Sequence, residues 1–263
     1  MSLSTSSQTI YRLSVSHPDF RDSISQALAF YASICAGNFS VVADLVESGV
    51  IALKHPEPAQ IQEARGWLDL ANSALFSPQF VDESATYAVL PPNAERLAEI
   101  TRRVQAHLQA GTVFEFCSAE EALLVSEALE LYARIGIGQI ESVIEHFRMQ
   151  PLPPADSGLG LSHWMERFDA AQQMAFRAKH LLFGYEPGQS AGIYNRSVSP
   201  AALAAWHLRK SLEHRLAFDR NPAGGVFNNY DGPMQVRRGD AGTVITVQSS
   251  TAGGQTASSE FRV

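Results

Sequence analysis

Apolar side chains recur along much of the chain at the spacing of a buried helical stripe, in which every third or fourth residue faces the core. The clearest stripe runs from Leu124 to Val143. The same spacing predicts three helices in each half of the chain: a first that ends near Val46 or Phe147, a second over 59–76 or 162–183, and a third over about 93–109 or 200–218.

Polar residues and prolines mark where several of these helices should begin or end. Ser16-x-x-Asp19 and Ser118-x-x-Glu121 are capping-box patterns, in which the hydroxyl accepts from an orphan backbone N–H and the acid reaches back. The other boundary signals are Pro18 in a first turn, Ser199-Pro200 as N-cap and first helical residue, and Gly184 just beyond a helix end.

The two halves of the chain resemble each other in three blocks that occur in the same order. In the first block, Tyr31 and Gly37 return 101 positions later as Tyr132 and Gly138. Three ordered matches favour a tandem duplication over two helical hairpins that are alike only because amphipathic helices share a period. The later blocks pair Leu75-Phe76 with Leu182-Phe183, Tyr87 with Tyr194, and Pro92 with Pro200.

These patterns together predict a mainly α fold. Two tandem-duplicated three-helix units should pack about a pseudo-twofold axis, as the subunits of a symmetric dimer do, with a short C-terminal β segment. Within that segment Gly242 to Gln248 is rich in β-branched residues and is predicted as an edge strand, and Val226 to Tyr230 as a short strand. The polar stretch from Ser249 to Val263 is predicted to be loosely held.

The predicted division of the chain follows the repeat. It consists of an N-terminal tail at 1–15, a degenerate first copy at 16–110, a second copy at 111–235 that carries the distinctive polar motifs, and a β segment with a polar tail at 236–263.

The charge and the cysteine content of the chain argue against several classes of function. The formal net charge is −7 and the pI about 5.6, whereas a protein that coats a nucleic-acid polymer needs dense Lys and Arg. Two cysteines, Cys35 and Cys117, form no CxxC pattern, which suits a reducing cytoplasm. No basic and apolar leader and no run of about 20 apolar residues is present. We therefore expect a cytoplasmic protein without a nucleic-acid polymer or a membrane as partner.

Recognised catalytic signatures are absent from the sequence. It contains no GxSxG elbow, HExxH motif, Walker loop or dinucleotide-binding GxGxxG. Gly136-Ile137-Gly138 lies inside a helical pattern, so its glycines are interpreted as allowing close helix approach. His207 and His214 would share a helix face, but a solvated or capping pair is the simpler interpretation without a third ligand. No catalytic residue, metal or cofactor is predicted, and Cys35 is assigned to the core.

Ten residues of the second half form the candidate ligand-binding set. An arginine offers a planar fork for phosphate or carboxylate, and a tyrosine or Trp206 offers a stacking face, which suits an anionic planar molecule such as a nucleotide. The alternative is a buried Arg–Asp network that ties a loop to the helices, since ion pairs also cluster at helix ends. The set consists of Tyr132, Arg134, Gln139, Tyr194, Asn195, His214, Arg215, Asp219, Arg220 and Asn221.

Helix geometry restricts how these residues can converge. Tyr132 and Gln139 are seven positions apart and would share a face, whereas Arg134 is offset by about 160° on a straight helix. Either Gly136 and Gly138 break the helix, so that both sides reach a ligand, or Arg134 serves the other copy or a second subunit.

The second copy resembles a family of small phage-encoded proteins. The similar runs are Tyr132 to Gln139 (YARIGIGQ) and His214 to Gly225 (HRLAFDRNPAGG), followed by Tyr230-Asp231-Gly232-Pro233, with Leu182-Phe183-Gly184 and Tyr194-Asn195 between them. The resemblance covers about 118–235. Family members look like single units, and the first copy departs from the pattern because Ser33 and Asn38 stand where the second copy has Arg134 and Gln139.

The resemblance implies a phage accessory protein that acts in the cytoplasm of the infected bacterium. The expected function is to bind and sequester a small anionic nucleotide-like immune signal, with homo-oligomerisation left open. The alternatives are a protein–protein inhibitor of a host defence enzyme and a nucleotide-processing enzyme that uses Asp219, Arg220 and His214. A ligand binder should present arginines and aromatic rings, whereas an inhibitor should expose a large apolar patch.

Overall fold

The computed structural model describes residues 9–15, 18–51, 53–76, 99, 102–103, 113–116, 118–148, 161–220, 244–251 and 256–262. Over these residues the protein is mainly helical and has a small antiparallel sheet of four strands. The elements are β1 (Thr9–Val15), α1 (Pro18–Cys35), α2 (Val41–Glu47), α3 (Pro58–Phe76), β2 (Val113–Phe116), α4 (Ala119–Gly136), α5 (Glu141–Arg148), α6 (Leu161–Phe183), α7 (Pro200–Arg220), β3 (Val244–Thr251) and β4 (Thr256–Arg262).

The chain forms two compact units, and each unit contains segments of both predicted copies. The sheet unit comprises Met1–Leu28, Leu97–Glu130 and Ala204–Val263, and the helical unit comprises Ala29–Arg96 and Leu131–Leu203.

The sheet has the strand order β2-β1-β3-β4, with every neighbouring pair antiparallel. Side chains alternate between its two faces, so that Tyr11, Leu13 and Val15 of β1 are buried while Arg12 is exposed. In β3, Ile245 and Val247 are buried in the same way. One apolar face of the sheet therefore belongs to the core of this unit.

Three sequence predictions about this region were wrong. The predicted N-terminal tail ends in β1, whose alternating apolar residues supply a buried strand. The segment predicted as an edge strand is β3, which lies between β1 and β4. The predicted loose tail contains β4, because backbone hydrogen bonds hold a polar strand once a neighbour is available. The short strand predicted at Val226 to Tyr230 lies outside the described residues.

In each copy, the segment that was predicted as the first helix forms two helices. α1 ends at Cys35 and α4 ends at Gly136, and each is followed by a glycine with positive φ, Gly37 at 77° and Gly138 at 86°. A left-handed residue cannot continue a helix, so it forces the chain to turn before α2 or α5 begins. The interpretation of Gly138 as a residue inside a helix was therefore wrong.

The other helix predictions agree with the structure. α3, α6 and α7 lie within one or two residues of the predicted bounds. Ser118 Oγ accepts from Glu121 N at 3.2 Å, and Ser199 Oγ accepts from Ala202 N at 3.2 Å, as their capping patterns predicted. Gly184 follows α6 with a φ of 65°. Ser16, Cys117 and most of 93–109 lie outside the described residues.

Within the helical unit, α3 and α6 pack along each other in opposite directions. Arg167 Nε donates to the carbonyl of Ala74 at 2.7 Å, and the guanidinium of Arg177 lies 4.5 Å from the centre of the Trp67 ring. The buried residues of the two helices are mostly alanine and leucine, and small side chains such as alanine allow helices to approach closely. The buried residues of α3 are Ile61, Ala64, Leu68, Ala71, Ala74 and Leu75, and α6 adds Phe168, Ala171, Ala175, Ala178 and Leu182.

Candidate functional site

Arg134 and Gln139 are brought together by the way in which α4 ends. Gln139 N donates to the carbonyl of Arg134 at 2.9 Å, and Gly138 N donates to the carbonyl of Ile135 at 2.9 Å. This pair of bonds is the Schellman motif, which needs a left-handed residue, here Gly138. The two residues that the motif joins commonly make an apolar contact, but here Arg134 Nη1 donates to Gln139 Oε1 at 3.0 Å.

A loop from elsewhere in the chain holds this turn. We call residues 184–199, between α6 and α7, the glycine loop, since it contains Gly184, Gly188 and Gly192. Gln139 Nε2 donates to Ser190 Oγ at 3.2 Å, and Ala191 N donates to the carbonyl of Ile137 at 2.9 Å. The side chain of Gln139 thus connects Arg134 to the glycine loop, and its amide orientation is fixed from both sides. We call Arg134, Gln139 and Ser190 the Arg134 site.

A small apolar cluster supports the Arg134 site. Its buried members come from the glycine loop and the start of α7, and its partly buried members come from three separate segments. An ideal Cβ placed on Gly136 would lie 2.2 Å from Ala202 Cβ, so only glycine allows the end of α4 to approach α7 this closely. Gly136 therefore has the close-packing role that its sequence context predicted. The cluster consists of Ala191, Val198 and Ala202 with Leu53, Ile137, Tyr185 and Ile193.

The two candidate residues in the glycine loop differ in role. Tyr194 is 45% exposed and presents its ring at the surface. Asn195 Oδ1 accepts from the backbone N and the hydroxyl of Ser197, both at 3.0 Å, an Asx turn that shapes the loop. Tyr194 therefore lies at the surface, and Asn195 stabilises the loop that contains it.

Tyr132 belongs to the core. Its side chain is 1% exposed, and its ring packs edge-on against Phe30 with the centroids 5.9 Å apart. Burial raises the pKa of the Tyr132 phenol well above its usual range. The hydroxyl thus stays protonated, and the ring is placed to stabilise α4 instead of stacking on a ligand at the surface.

The first copy has the same turn without the same side-chain contact. Asn38 N donates to the carbonyl of Ser33 at 2.9 Å, which is the equivalent backbone bond. Ser33 Oγ instead donates to the carbonyl of Ala29 at 3.1 Å, and Asn38 Oδ1 accepts from Ser40 Oγ at 2.7 Å. Both short side chains therefore bond to residues within four positions of themselves. The contact between an arginine and a glutamine across the turn is found in the second copy.

The remaining candidates lie on α7, in the sheet unit. Arg215 binds Asp219 through Nε at 3.0 Å and Nη2 at 2.5 Å, and its Nη1 donates to Ser259 Oγ of β4 at 3.4 Å. Both donors of Arg215 share one oxygen, Asp219 Oδ1, so this guanidinium is already ion-paired, and a ligand anion would have to displace the carboxylate. The structural-network interpretation therefore fits Arg215 and Asp219. The side chain of Arg220, and Asn221, lie outside the described residues.

His207 of α7 is buried, and His214 of the same helix is partly buried. Burial lowers the pKa of His207 below its usual value, because the charged imidazolium loses hydration. Burial and the neighbouring charge of Arg215 lower the pKa of His214 in the same direction. The His214 ring lies 4.7 Å from the ring of Phe218. Both histidines are thus predominantly neutral at pH 7.

An ion-pair network centred on Arg209 of α7 was not predicted from the sequence. Arg209 Nη2 lies 2.9 Å from Glu130 and 2.7 Å from Glu213, and the guanidinium is 5.3 Å from the centre of the Trp206 ring. The i, i+4 spacing of Arg209 and Glu213 was visible in the sequence, but the partner on α4 was not. This network connects α7 to α4. The ring of Trp206, which was considered as a stacking face for a ligand, contacts Arg209 instead.

Among the helices that the structure describes, none has both the length and the apolar character that a membrane span requires. The described residues also contain no group of three or more His, Cys, Asp or Glu side chains arranged to hold a metal ion.

Comparison with known proteins gave no relative. No protein-family model, no curated protein and no solved structure matches the chain.

Proposed function

We propose that the protein is a non-enzymatic binding protein that captures a small anionic, nucleotide-like ligand at the Arg134 site. The observation that carries the proposal is the contact between Arg134 and Gln139, at 3.0 Å. Gln139 is a neutral acceptor, so this contact orients the guanidinium through a hydrogen bond and not through an ion pair. A fixed guanidinium is pre-organised for phosphate or carboxylate, because less conformational entropy is lost when the anion binds.

The surroundings of Arg134 suit a ligand that has both a charge and a ring. The glycine loop supplies Ser190, whose hydroxyl is already oriented by Gln139, and the exposed ring of Tyr194. Aromatic faces bind planar rings by stacking, while hydroxyl and guanidinium groups bind phosphoryl oxygens. A nucleotide-like molecule has both parts.

The biological setting is proposed from the resemblance to small phage-encoded proteins. On that basis the protein is a phage accessory protein that sequesters a nucleotide-like immune signal in the cytoplasm of the infected bacterium. A protein–protein inhibitor is less well supported, because such a protein exposes a contiguous apolar patch. Over the described residues the large exposed apolar side chains are Leu70, Val113 and Tyr194, which lie on three different elements.

The proposal is tested by asking what the protein retains and releases. Purified protein is incubated with an extract of nucleotides from bacteria with an activated defence system, washed, and denatured by heat. Release of an intact anionic nucleotide supports capture without turnover. A chemically altered nucleotide that accumulates over repeated turnovers supports the enzyme alternative, and retention of a host protein but no nucleotide supports the inhibitor alternative.

We also propose that the two halves arose by duplication and that equivalent residues are related by a local twofold in each unit. In the sheet unit, Leu13 of β1 pairs with Phe114 of β2, which is the residue 101 positions later. A twofold axis between two antiparallel strands makes each residue at the axis pair with its own equivalent in the other strand. The pairing of β1 with β2 has this register.

The helical unit supports the same proposal independently. Leu75 and Leu182 of the second repeat block are 107 positions apart, and the same shift makes Leu68 equivalent to Ala175. These two residues lie between the α3–α6 contact of Ala74 with Arg167 and that of Trp67 with Arg177. Leu68 and Ala175 are both buried, at 1% and 0% exposure. The positive-φ glycines after α1 and α4 also recur at the shift of 101.

A further inference from the structure

A buried ion pair joins α6 to the first turn of α5. Lys179 Nζ lies 2.7 Å from Glu141 Oε1, and the side chains of Lys179 and Glu141 are 0% and 13% exposed. Glu141 Oε2 is also buried and has no hydrogen-bond partner among the described residues. The contact with Lys179 therefore compensates the burial of this carboxylate and holds the start of α5 against α6.

The Glu141 end of the ion pair lies in the turn that carries Gln139. Glu141 follows Gln139 by two positions, and Ser142 N donates to the carbonyl of Gln139 at 3.1 Å. Gln139 is therefore bonded into the first turn of α5. A contact that fixes Glu141 in place also restrains the backbone of Gln139.

The Lys179 end of the ion pair lies one turn before the glycine loop. α6 ends at Phe183, four residues after Lys179, and the glycine loop follows directly. Further along that loop, Ser190 Oγ accepts from Gln139 at 3.2 Å. The ion pair and this hydrogen bond therefore close a ring through the chain, with Lys179 and Ser190 on one side and Glu141 and Gln139 on the other.

The first copy has neither charge at the equivalent positions. The shift of 101 makes Ser40 equivalent to Glu141, and the shift of 107 makes Asn72 equivalent to Lys179. Asn72 lies at the turn of its own copy, because its Oδ1 is 3.2 Å from an ideal Cβ on Gly37. The same position of α3 and α6 thus meets the segment after α1 or α4, and the second copy adds an ion pair there.

Stability alone does not account for two charges at this place. The desolvation cost of a buried ion pair largely offsets its attraction, and well-packed apolar residues of similar volume often stabilise a protein as much or more. A buried ion pair can instead specify one arrangement of the elements that it joins. The elements joined here are the two that carry Gln139 and the glycine loop.

We propose that Lys179 and Glu141 are positioning residues of the Arg134 site, which hold Gln139 and the glycine loop in the arrangement that binds the ligand. This inference rests on the proposed function. Lys179 is fully buried and its charge is paired with Glu141, so the pair acts through Gln139 and Ser190 and not by touching the ligand.

The test separates position from stability with a variant that keeps the packing. Lys179→Met/Glu141→Leu removes both charges at similar volume, so we expect its melting temperature to stay within about 5 °C of the wild type. Hydrogen exchange of the Gln139 and Ala191 amides, which bond across the turn, should become about 10-fold faster relative to the Asn38 amide of the first copy. Calorimetric titration with ADP-ribose and with cyclic AMP should show about 10-fold weaker binding of the probe that the wild type binds more tightly.

Two further variants serve as controls. Glu141→Gln retains an acceptor for Lys179, so the exchange ratio and the affinity should stay within about threefold of the wild type. Asn72→Ala removes the equivalent side chain of the first copy. It should leave the exchange of the Gln139 and Ala191 amides and the affinity for both probes unchanged.

Three results would overturn the inference. If the double variant has the exchange ratio and the affinity of the wild type, the ion pair positions nothing. If exchange is faster but the affinity is unchanged, while Arg134→Met weakens binding, the pair stiffens the turn without positioning the site, and the proposed function stands. If the wild type binds neither probe more tightly than millimolar, the inference fails, and the proposed function fails with it when no other nucleotide binds.

Discussion

Arg134 and Gln139 are joined by two hydrogen bonds, one between their backbones and one between their side chains. The backbone bond closes the Schellman motif at the end of α4, and the side-chain bond orients the guanidinium. Because the second bond depends on the first, the fold of this turn and the geometry of the proposed binding site share one structural cause. That cause is the left-handed conformation of Gly138.

Substitution of Gly138 should therefore destabilise the protein. Gly138→Leu puts a side chain on a residue with a φ of 86°, where a new Cβ would lie 2.8 Å from the ring of Tyr185. Left-handed strain and overpacking each cost roughly 1–3 kcal/mol, so we expect the free energy of unfolding to fall by at least ~1–3 kcal/mol. Urea denaturation followed by circular dichroism measures the change.

A glycine in α3 provides the matched control. Gly66 is exposed, and an ideal Cβ there would meet no atom within 4 Å. Gly66→Ala should therefore raise the free energy of unfolding by about 0.5–1 kcal/mol, since alanine favours a helix. If Gly138→Leu leaves the unfolding midpoint unchanged, the packing described at the turn is incorrect.

Gln139 should matter more for stability than its counterpart in the first copy. Gln139→Ala removes the bonds to Arg134 and Ser190, and typical net contributions predict a loss of about 1–2 kcal/mol for the two together. Asn38→Ala removes one exposed bond to Ser40 and should cost about 0.5 kcal/mol. The comparison is made by denaturation under identical conditions, and equal losses would argue against a special role for Gln139.

The buried pair of Arg215 and Asp219 should behave as a structural element. Arg215→Ala leaves a partly buried carboxylate without its ion-pair partner, and we expect the unfolding free energy to fall by ~1–3 kcal/mol. A double-mutant cycle with Asp219→Ala should give a coupling of about 1–2 kcal/mol. Additive losses would show that the pair contributes no mutual stabilisation.

Acid should destabilise the protein through its shielded histidines. The pKa of His207 is lowered in the folded state, so the unfolded chain, with an ordinary pKa of about 6.5, binds more protons. The contribution is complete above about pH 6.5 and is lost as the pH falls below that value towards the lowered pKa. Melting temperatures measured from pH 8 to 5 should decline at the acid end, and His207→Gln should reduce the decline. An unchanged decline in the variant would assign it to other groups.

Helical periodicity and capping signals predicted α3, α6 and α7 because these elements depend on local sequence. The break after α1 was not predicted, and the break after α4 was predicted only as one of two alternatives, although a glycine at the same place in both copies was a usable signal for a helix end. The apolar alternation of β1 was also visible in the sequence. Its pairing with β2 and β3 depends on segments about 100 and 235 positions away, which no local pattern encodes.

The candidate site was predictable in part. Arg134 and Gln139 stood out because the first copy has Ser33 and Asn38 at those positions. Ser190 carried no sequence signal, because it is positioned by a loop that packs on the turn from far along the chain. Tyr132 was selected for its aromatic ring, but the same ring satisfies the packing of the core, and periodicity alone does not separate those roles.

The most direct test of the proposed function is calorimetric titration of wild type and Arg134→Met with a panel of cyclic and diphosphate-containing nucleotides. Arg177→Met is the control, because that arginine lies over Trp67 on the α3–α6 surface of the same unit. We predict that at least one nucleotide binds the wild type more tightly than millimolar and binds Arg134→Met about 10- to 150-fold more weakly, with the control unchanged. Equal affinity for wild type and Arg134→Met, or no nucleotide binding by the wild type, would contradict the account.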